Sequence, residues 1–138
     1  MALHELCIEP RTAEISRLID WVEAGCRQDD VASDVAFKMK LALEEAVMNV
    51  ISHAFLGWPL PHNITVRLDI SADIIAAEII DTGRPFDPTA APGPNLMLPL
   101  DQRHPGGLGI HLMRSMTDRM RYQRSESNNI LRMEKKRL

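Results

Sequence analysis

Only two cysteines, Cys7 and Cys26, occur in 138 residues, and their spacing matches no metal-ligand pattern. That excludes a disulfide scaffold and a zinc site, and leaves two free, buried thiols in a reducing compartment as the expectation. A basic surplus is missing too: 16 Lys and Arg stand against 19 Asp and Glu, for a formal charge of -3. Direct nucleic-acid binding draws on a basic face and is therefore not expected. The terminal Lys135-Lys136-Arg137 reads as a solvated strand end. No apolar run reaches the length of a membrane span, no signal-peptide pattern opens the chain, and no repeat or low-complexity tail is present. The expectation is a cytoplasmic protein with no membrane attachment.

What is present suits one globular domain over residues 1–138, with 45% hydrophobic and 25% charged residues. Residues 3–9 alternate as a strand. Thr12 is placed to cap a helix running to about Gln28, and Ser33 to cap another running to about Phe55, stopped by Gly57, Pro59 and Pro61. Residues 63–71 and 73–81 are rich in β-branched side chains and read as an antiparallel hairpin. The composition then shifts. Five of the seven glycines fall between Gly83 and Gly109, and six of the nine prolines between Pro85 and Pro105. Such a stretch inside a small domain reads as a functional loop or lid, about residues 84–106, with apolar Asn95–Leu100 able to close over something. A helix resumes at Gly109, followed by a second hairpin turning at Ser127–Asn129. The order β-α-α-β-β-lid-α-β-β predicts an α+β two-layer sandwich, its helices on one face of a mixed, mainly antiparallel sheet.

Three stretches carry chemistry. In Leu41–Phe55, Glu45 and Asn49 lie one turn apart, roughly opposite apolar Leu43, Val47, Val50 and Ala54. A polar pair there either faces water or meets a ligand. The amide oxygen of Asn49 suits Mg²⁺, which takes few protein ligands beside phosphate and water, and Glu45 suits proton abstraction from a hydroxyl. In Ile79–Pro88, Asp81 ends a strand and can accept from an exocyclic amine, with Gly83 bare enough for a flat base to approach; an ordinary Asp-x-Gly turn is the alternative. In His104–Met113, Gly106, Gly107 and Gly109 open an apolar helix. Free N–H groups at such a start make an anion site, although a hinge has the same composition. Arg103 beside it suits a phosphate. His53 reads as a helix-end or core residue, Asp87 as a turn residue, and His4-Glu5 as part of a strand.

In their order, Glu45-x-x-x-Asn49, Asp81-x-Gly83, the lid and Gly107-x-Gly109 resemble the boxes of the GHKL ATPase superfamily, whose fold is of the Bergerat type. "EAVMNVISHAF", "DTGRPFDP" and "GGLGIHLM" are similar to those of its small anti-sigma-factor serine/threonine kinases. Pro85 stands where sensor kinases have a second glycine, which favours that subgroup. The resemblance implies an ATP site with Asn49 on Mg²⁺, Glu45 as general base, Asp81 on the adenine amine beside Gly83, and Gly107, Leu108 and Gly109 at the phosphates with Arg103. It implies a serine or threonine acceptor on an anti-sigma-factor antagonist, a sigma factor sequestered by partner switching, and a homodimer. Two alternatives remain: a non-catalytic, nucleotide-responsive binding module, and a histidine-kinase-like ATPase domain acting on a separate partner.

Overall fold

The computed structural model describes residues 2–90 and 105–138. Strand β1 is Ala2–Ile8, helix α1 Ile15–Gln28, helix α2 Ser33–His53, strand β2 Ile64–Ile70, strand β3 Ile74–Asp81, helix α3 Pro105–Met116, strand β4 Arg119–Ser125 and strand β5 Asn128–Lys136. Single 3-10 turns at Thr12–Glu14 and Pro88–Ala90 complete the order. The five strands form one sheet in the order β1-β2-β3-β5-β4, and all four pairings are antiparallel. The expected two-layer α+β arrangement is thus present, with a sheet that is antiparallel throughout the described residues rather than mixed.

Alternation makes the sheet one-sided. Ile64, Val66, Leu68 and Ile70 of β2 are buried while Arg67 between them is exposed. Leu18 and Val22 of α1, Leu43 and Val47 of α2 and Met113 of α3 close the core over that face. Helix α2 is apolar around most of its circumference because it packs against α1 and α3 as well as β3. Removing each such large side chain from water contributes about 1.5–3 kcal/mol, which is what holds the helices to the sheet. Among the described residues no helix is long and apolar enough to cross a membrane.

Some local expectations fail for physical reasons. Thr12 caps no helix: the chain enters α1 through the Thr12–Glu14 turn, and neither start carries a side-chain cap bond. Ser33 is already helical, with extended Ala32 ahead of it. Helix α3 begins at Pro105, four residues before Gly109, since proline fits a first helical turn that needs no N–H. The second hairpin turns at Glu126–Ser127, where Glu126 takes φ 55°. Cys26 is buried as expected but Cys7 is exposed. Arg137 is no free strand end: it donates to the carbonyls of Ser71, Asp29 and Asp30 at 2.6, 3.0 and 3.1 Å.

The layering has one consequence for chemistry. Asp81 ends β3 directly opposite Asn129 at the start of β5. That corner of the sheet lies under the C-terminal half of α2.

Candidate functional site

Beneath α2, a narrow cleft opens at this corner. Asn49 and Val50 reach it from the helix, Ile79 and Asp81 from β3, and Leu131 from β5, so its walls are apolar and its polar groups few. Ligand sites of small molecules have this make-up. Val50 and Ala54, expected on the side of α2 opposite Asn49, line the same cleft with it, because residues 49 and 50 are only about 100° apart around the helix. Phe86 and Pro88 lie across the cleft, and the space open to the centre of a water molecule is only about 20 Å³. That is room for little more than one water.

Asp81 is 4% exposed. Its Oδ1 accepts the Gly83 N–H at 2.9 Å and the Asn129 Nδ2–H at 2.9 Å, and among the described residues Oδ2 has no hydrogen-bond partner. Burial pushes the Asp81 carboxyl above its ordinary value, opposed by the bonds from Asn129 and Gly83 and by the nearby Arg124 charge. A raised folded-state value means the folded chain holds this proton more tightly than the unfolded one. The stability it contributes is present below the ordinary value of 3.8 and is lost as pH rises through the raised one. At neutral pH an ionised Asp81 therefore costs the fold stability, a cost offset in part by the bonds from Asn129 and Gly83.

The turn after Asp81 is held from all sides. Trp58 Nε1 donates to the Thr82 carbonyl at 3.0 Å, Thr82 Oγ1 to the Pro61 carbonyl at 2.7 Å, and Arg124 Nη1 to the Gly83 carbonyl at 2.7 Å. The Arg84 N–H donates to the Ala54 carbonyl at 2.9 Å. Gly83 is bare for a reason unlike the one expected. A Cβ on it meets the Ala54 carbonyl oxygen at 2.5 Å and the Ala54 Cβ at 2.6 Å, so the missing side chain makes room for the end of α2. Gly83→Ala is expected to destabilise the protein by about 1–3 kcal/mol, the range for overpacking. Urea unfolding checks this: the midpoint falls at an unchanged slope, whereas an unmoved midpoint contradicts the close packing.

At the other end of the site, α2 meets the start of α3. A Cβ on Gly109 meets Glu45 Oε2 at 3.1 Å, so the half-buried carboxylate lies directly against the glycine-rich helix start. Gly107 and Leu108 are in the opening turn of α3, where backbone N–H groups have no intrahelical acceptor. The structure thus brings Asn49 together with Asp81 in one cleft and Glu45 together with Gly109, with the two pairs joined by a single turn of α2. Arg103, His104 and Asn95–Leu100 lie outside the described residues. His53 ends α2 with its ring 6.1 Å from that of Phe86, and Asp87 Oδ1 accepts the Thr89 N–H at 2.8 Å, a turn residue as expected. Among the described residues no three or more His, Cys, Asp or Glu side chains gather as a metal cluster.

Sequence patterns did not point to Asn129, Tyr122 or Arg124. Asn129 is 4% exposed, bonded to Asp81, and accepts from the Tyr122 hydroxyl at 2.5 Å. Its signal lies in the β3–β5 register, which places it opposite Asp81 and which no local motif encodes.

Comparison with known proteins agrees with this fold. Residues 8–135 match the family described as "Histidine kinase-like ATPase domain". The chain is 34% identical over 128 residues to the serine/threonine-protein kinase BtrW of Bordetella bronchiseptica, covering 92% of this chain and 87% of that one. Among solved structures it resembles the RsbU and RsbW domains of Rv1364c from Mycobacterium tuberculosis, with TM-score 0.68, 10% identity, and 98% of this chain on 32% of that one. The histidine kinase domain of a blue-light activated kinase from Erythrobacter litoralis EL346 gives TM-score 0.56 at 14% identity, 87% of this chain on 59% of that one. At such identities the solved structures speak for the fold alone, and this chain spans about a third and three-fifths of their lengths.

Proposed function

This chain belongs to the histidine kinase-like ATPase domain family, and on that premise we propose that it is an anti-sigma factor and Mg-ATP-dependent protein serine/threonine kinase. Its acceptor is a hydroxyl of an anti-sigma-factor antagonist, and phosphorylation of that partner governs sequestration of a sigma factor by a homodimer of this chain in the cytoplasm. The observation that carries the reading is the placement of Glu45 and Asn49 on one helix, between a buried carboxylate and a glycine-rich helix start. The serine/threonine kinase name of BtrW, at 34% identity, supports the acceptor class.

The donor set fits the reactants. An apolar slot ending in a buried carboxylate suits a purine ring with an exocyclic amine, and Asp81 Oδ2 is the acceptor left for it. Asn49 offers a single neutral amide oxygen, as a magnesium ion accompanied by phosphates requires. When bound, that ion offsets negative charge on the phosphate oxygens. The N–H groups of Gly107, Leu108 and Gly109, with Arg103, receive the phosphates. Residues 84–106 act as the lid.

In transfer, the acceptor hydroxyl oxygen bonds to the γ-phosphorus, the bond from phosphorus to the β–γ bridging oxygen breaks, and ADP leaves. The hydroxyl proton goes to the Glu45 carboxylate. Such a loose transition state asks the protein mainly for alignment and charge compensation. Incubation of the chain with labelled ATP and the antagonist encoded nearest to it tests the proposal. An acid-stable phosphoryl group on the antagonist is expected. An acid-labile product favours the histidine-kinase-like alternative, and tight ATP binding with no transfer favours the nucleotide-responsive binding module.

A further inference from the structure

Three residues that hold the polar end of the cleft, Tyr122, Arg124 and Asn129, lie outside every motif. The Asn129 amide spends its hydrogen-bonding capacity inside the protein. Nδ2 donates to Asp81 Oδ1 at 2.9 Å and to the Arg84 carbonyl at 2.8 Å. Oδ1 accepts from the Tyr122 hydroxyl at 2.5 Å, from Arg124 Nη1 at 3.2 Å and, at a longer 3.4 Å, from the Phe86 N–H. Three donors facing one end of an amide fix which way it points, so Nδ2 must face Asp81. Arg124 is itself held by the Gly83 carbonyl at 2.7 Å.

Asp81 Oδ1 therefore meets two N–H groups, one from its own turn and one from across the sheet. That pair pins the carboxylate plane and leaves Oδ2 as the oxygen available to the cleft. Asn129 has no capacity left for a ligand of its own. It can act on one only through Asp81.

We propose that Asn129, locked by Tyr122 and Arg124, is a positioning residue that sets nucleobase selectivity by turning Asp81 so that the cleft presents an acceptor and no donor. The proposal rests on the ATP reading of the cleft. A purine with a 6-amino group donates to that acceptor, while a 6-oxo purine sets one acceptor against another and leaves both unsatisfied. Loss of such a charged hydrogen bond inside a closed site is worth a large factor in affinity. Without the Asn129 N–H, Asp81 Oδ1 keeps only the bond from Gly83. The carboxylate is then free to turn, and the distinction between the two purines weakens.

Titration of the full chain with ATP and with inosine triphosphate, Mg²⁺ present throughout, tests this. The two nucleotides share sugar and phosphates and differ at position 6, where the amine becomes a carbonyl, and at N1, which gains a hydrogen. Wild type is expected to prefer ATP by about tenfold or more. Asn129→Ala is expected to bring the ratio close to parity. Tyr122→Phe, which removes a single hydroxyl and spares the fold if Asn129→Ala does not, is expected to lower it by about threefold. A purely structural role weakens both nucleotides by the same factor and leaves the ratio unmoved. Ratios equal to wild type in the folded variants overturn the inference while the ATP reading stands. A folded wild type that binds neither nucleotide overturns that reading and this inference with it.

Discussion

Replacing Glu45 with Gln is expected to leave ATP bound and phosphoryl transfer slowed by about 10²- to 10⁴-fold, the range for loss of a positioned general base. Gln keeps the length and shape of the side chain and loses its negative charge and its capacity to take a proton. Glu45 stands against Gly109 at the start of α3, with Oε2 3.1 Å from where a Cβ would be, and is absent from the lining of the cleft shared by Asn49 and Asp81. Substitution there should therefore spare the contacts that hold the base. Single-turnover transfer to the antagonist and calorimetric binding of ATP, measured on the same variant, separate the two effects. An undiminished transfer rate removes Glu45 as the base. Equal loss of binding and transfer makes it a binding residue instead.

The second large effect is expected at Asn49. Alanine removes the amide oxygen and leaves the neighbouring apolar walls, Ala46 and Val50 on the same helix and Ile79 and Leu131 below, in place. Affinity for ATP without magnesium should stay near the wild-type value. The enhancement that magnesium gives wild type should fall by more than the roughly tenfold that loss of an outer-sphere partner already costs a metal site. Comparing the titration with and without the ion reads that difference directly. If magnesium strengthens binding to Asn49→Ala as much as to wild type, the ion is held elsewhere. Unfolding midpoints of the two variants guard against a trivial loss of fold.

Periodicity carried most of the architecture. Helix α2 and the β2–β3 hairpin were legible because burial in each follows from neighbours in sequence. The start of α2 lies within one residue of the expected place, but the caps suggested by Thr12 and Ser33 do not form. The chain enters α1 through a 3-10 turn, and Ser33 is already inside α2, so neither hydroxyl is needed there. In the site, Glu45, Asn49 and Asp81 stood out as polar groups among apolar ones. Gly83 stood out as well, but its physical cause, contact with Ala54, depends on how the end of α2 packs on a distant turn. Asn129 was invisible for the same reason: its bond to Asp81 spans 48 residues and exists only through the β3–β5 register. Local motifs report the groups that offer themselves to a ligand, and tertiary pairing decides which groups hold them.

The central claim is that α2, the β3 corner and the start of α3 form one pocket for magnesium-bound ATP. Isothermal titration of the intact, folded wild-type chain tests it most directly. One ATP bound per chain, more tightly with magnesium than without, is the predicted result; a folded chain that gives no binding of ATP in either condition contradicts it.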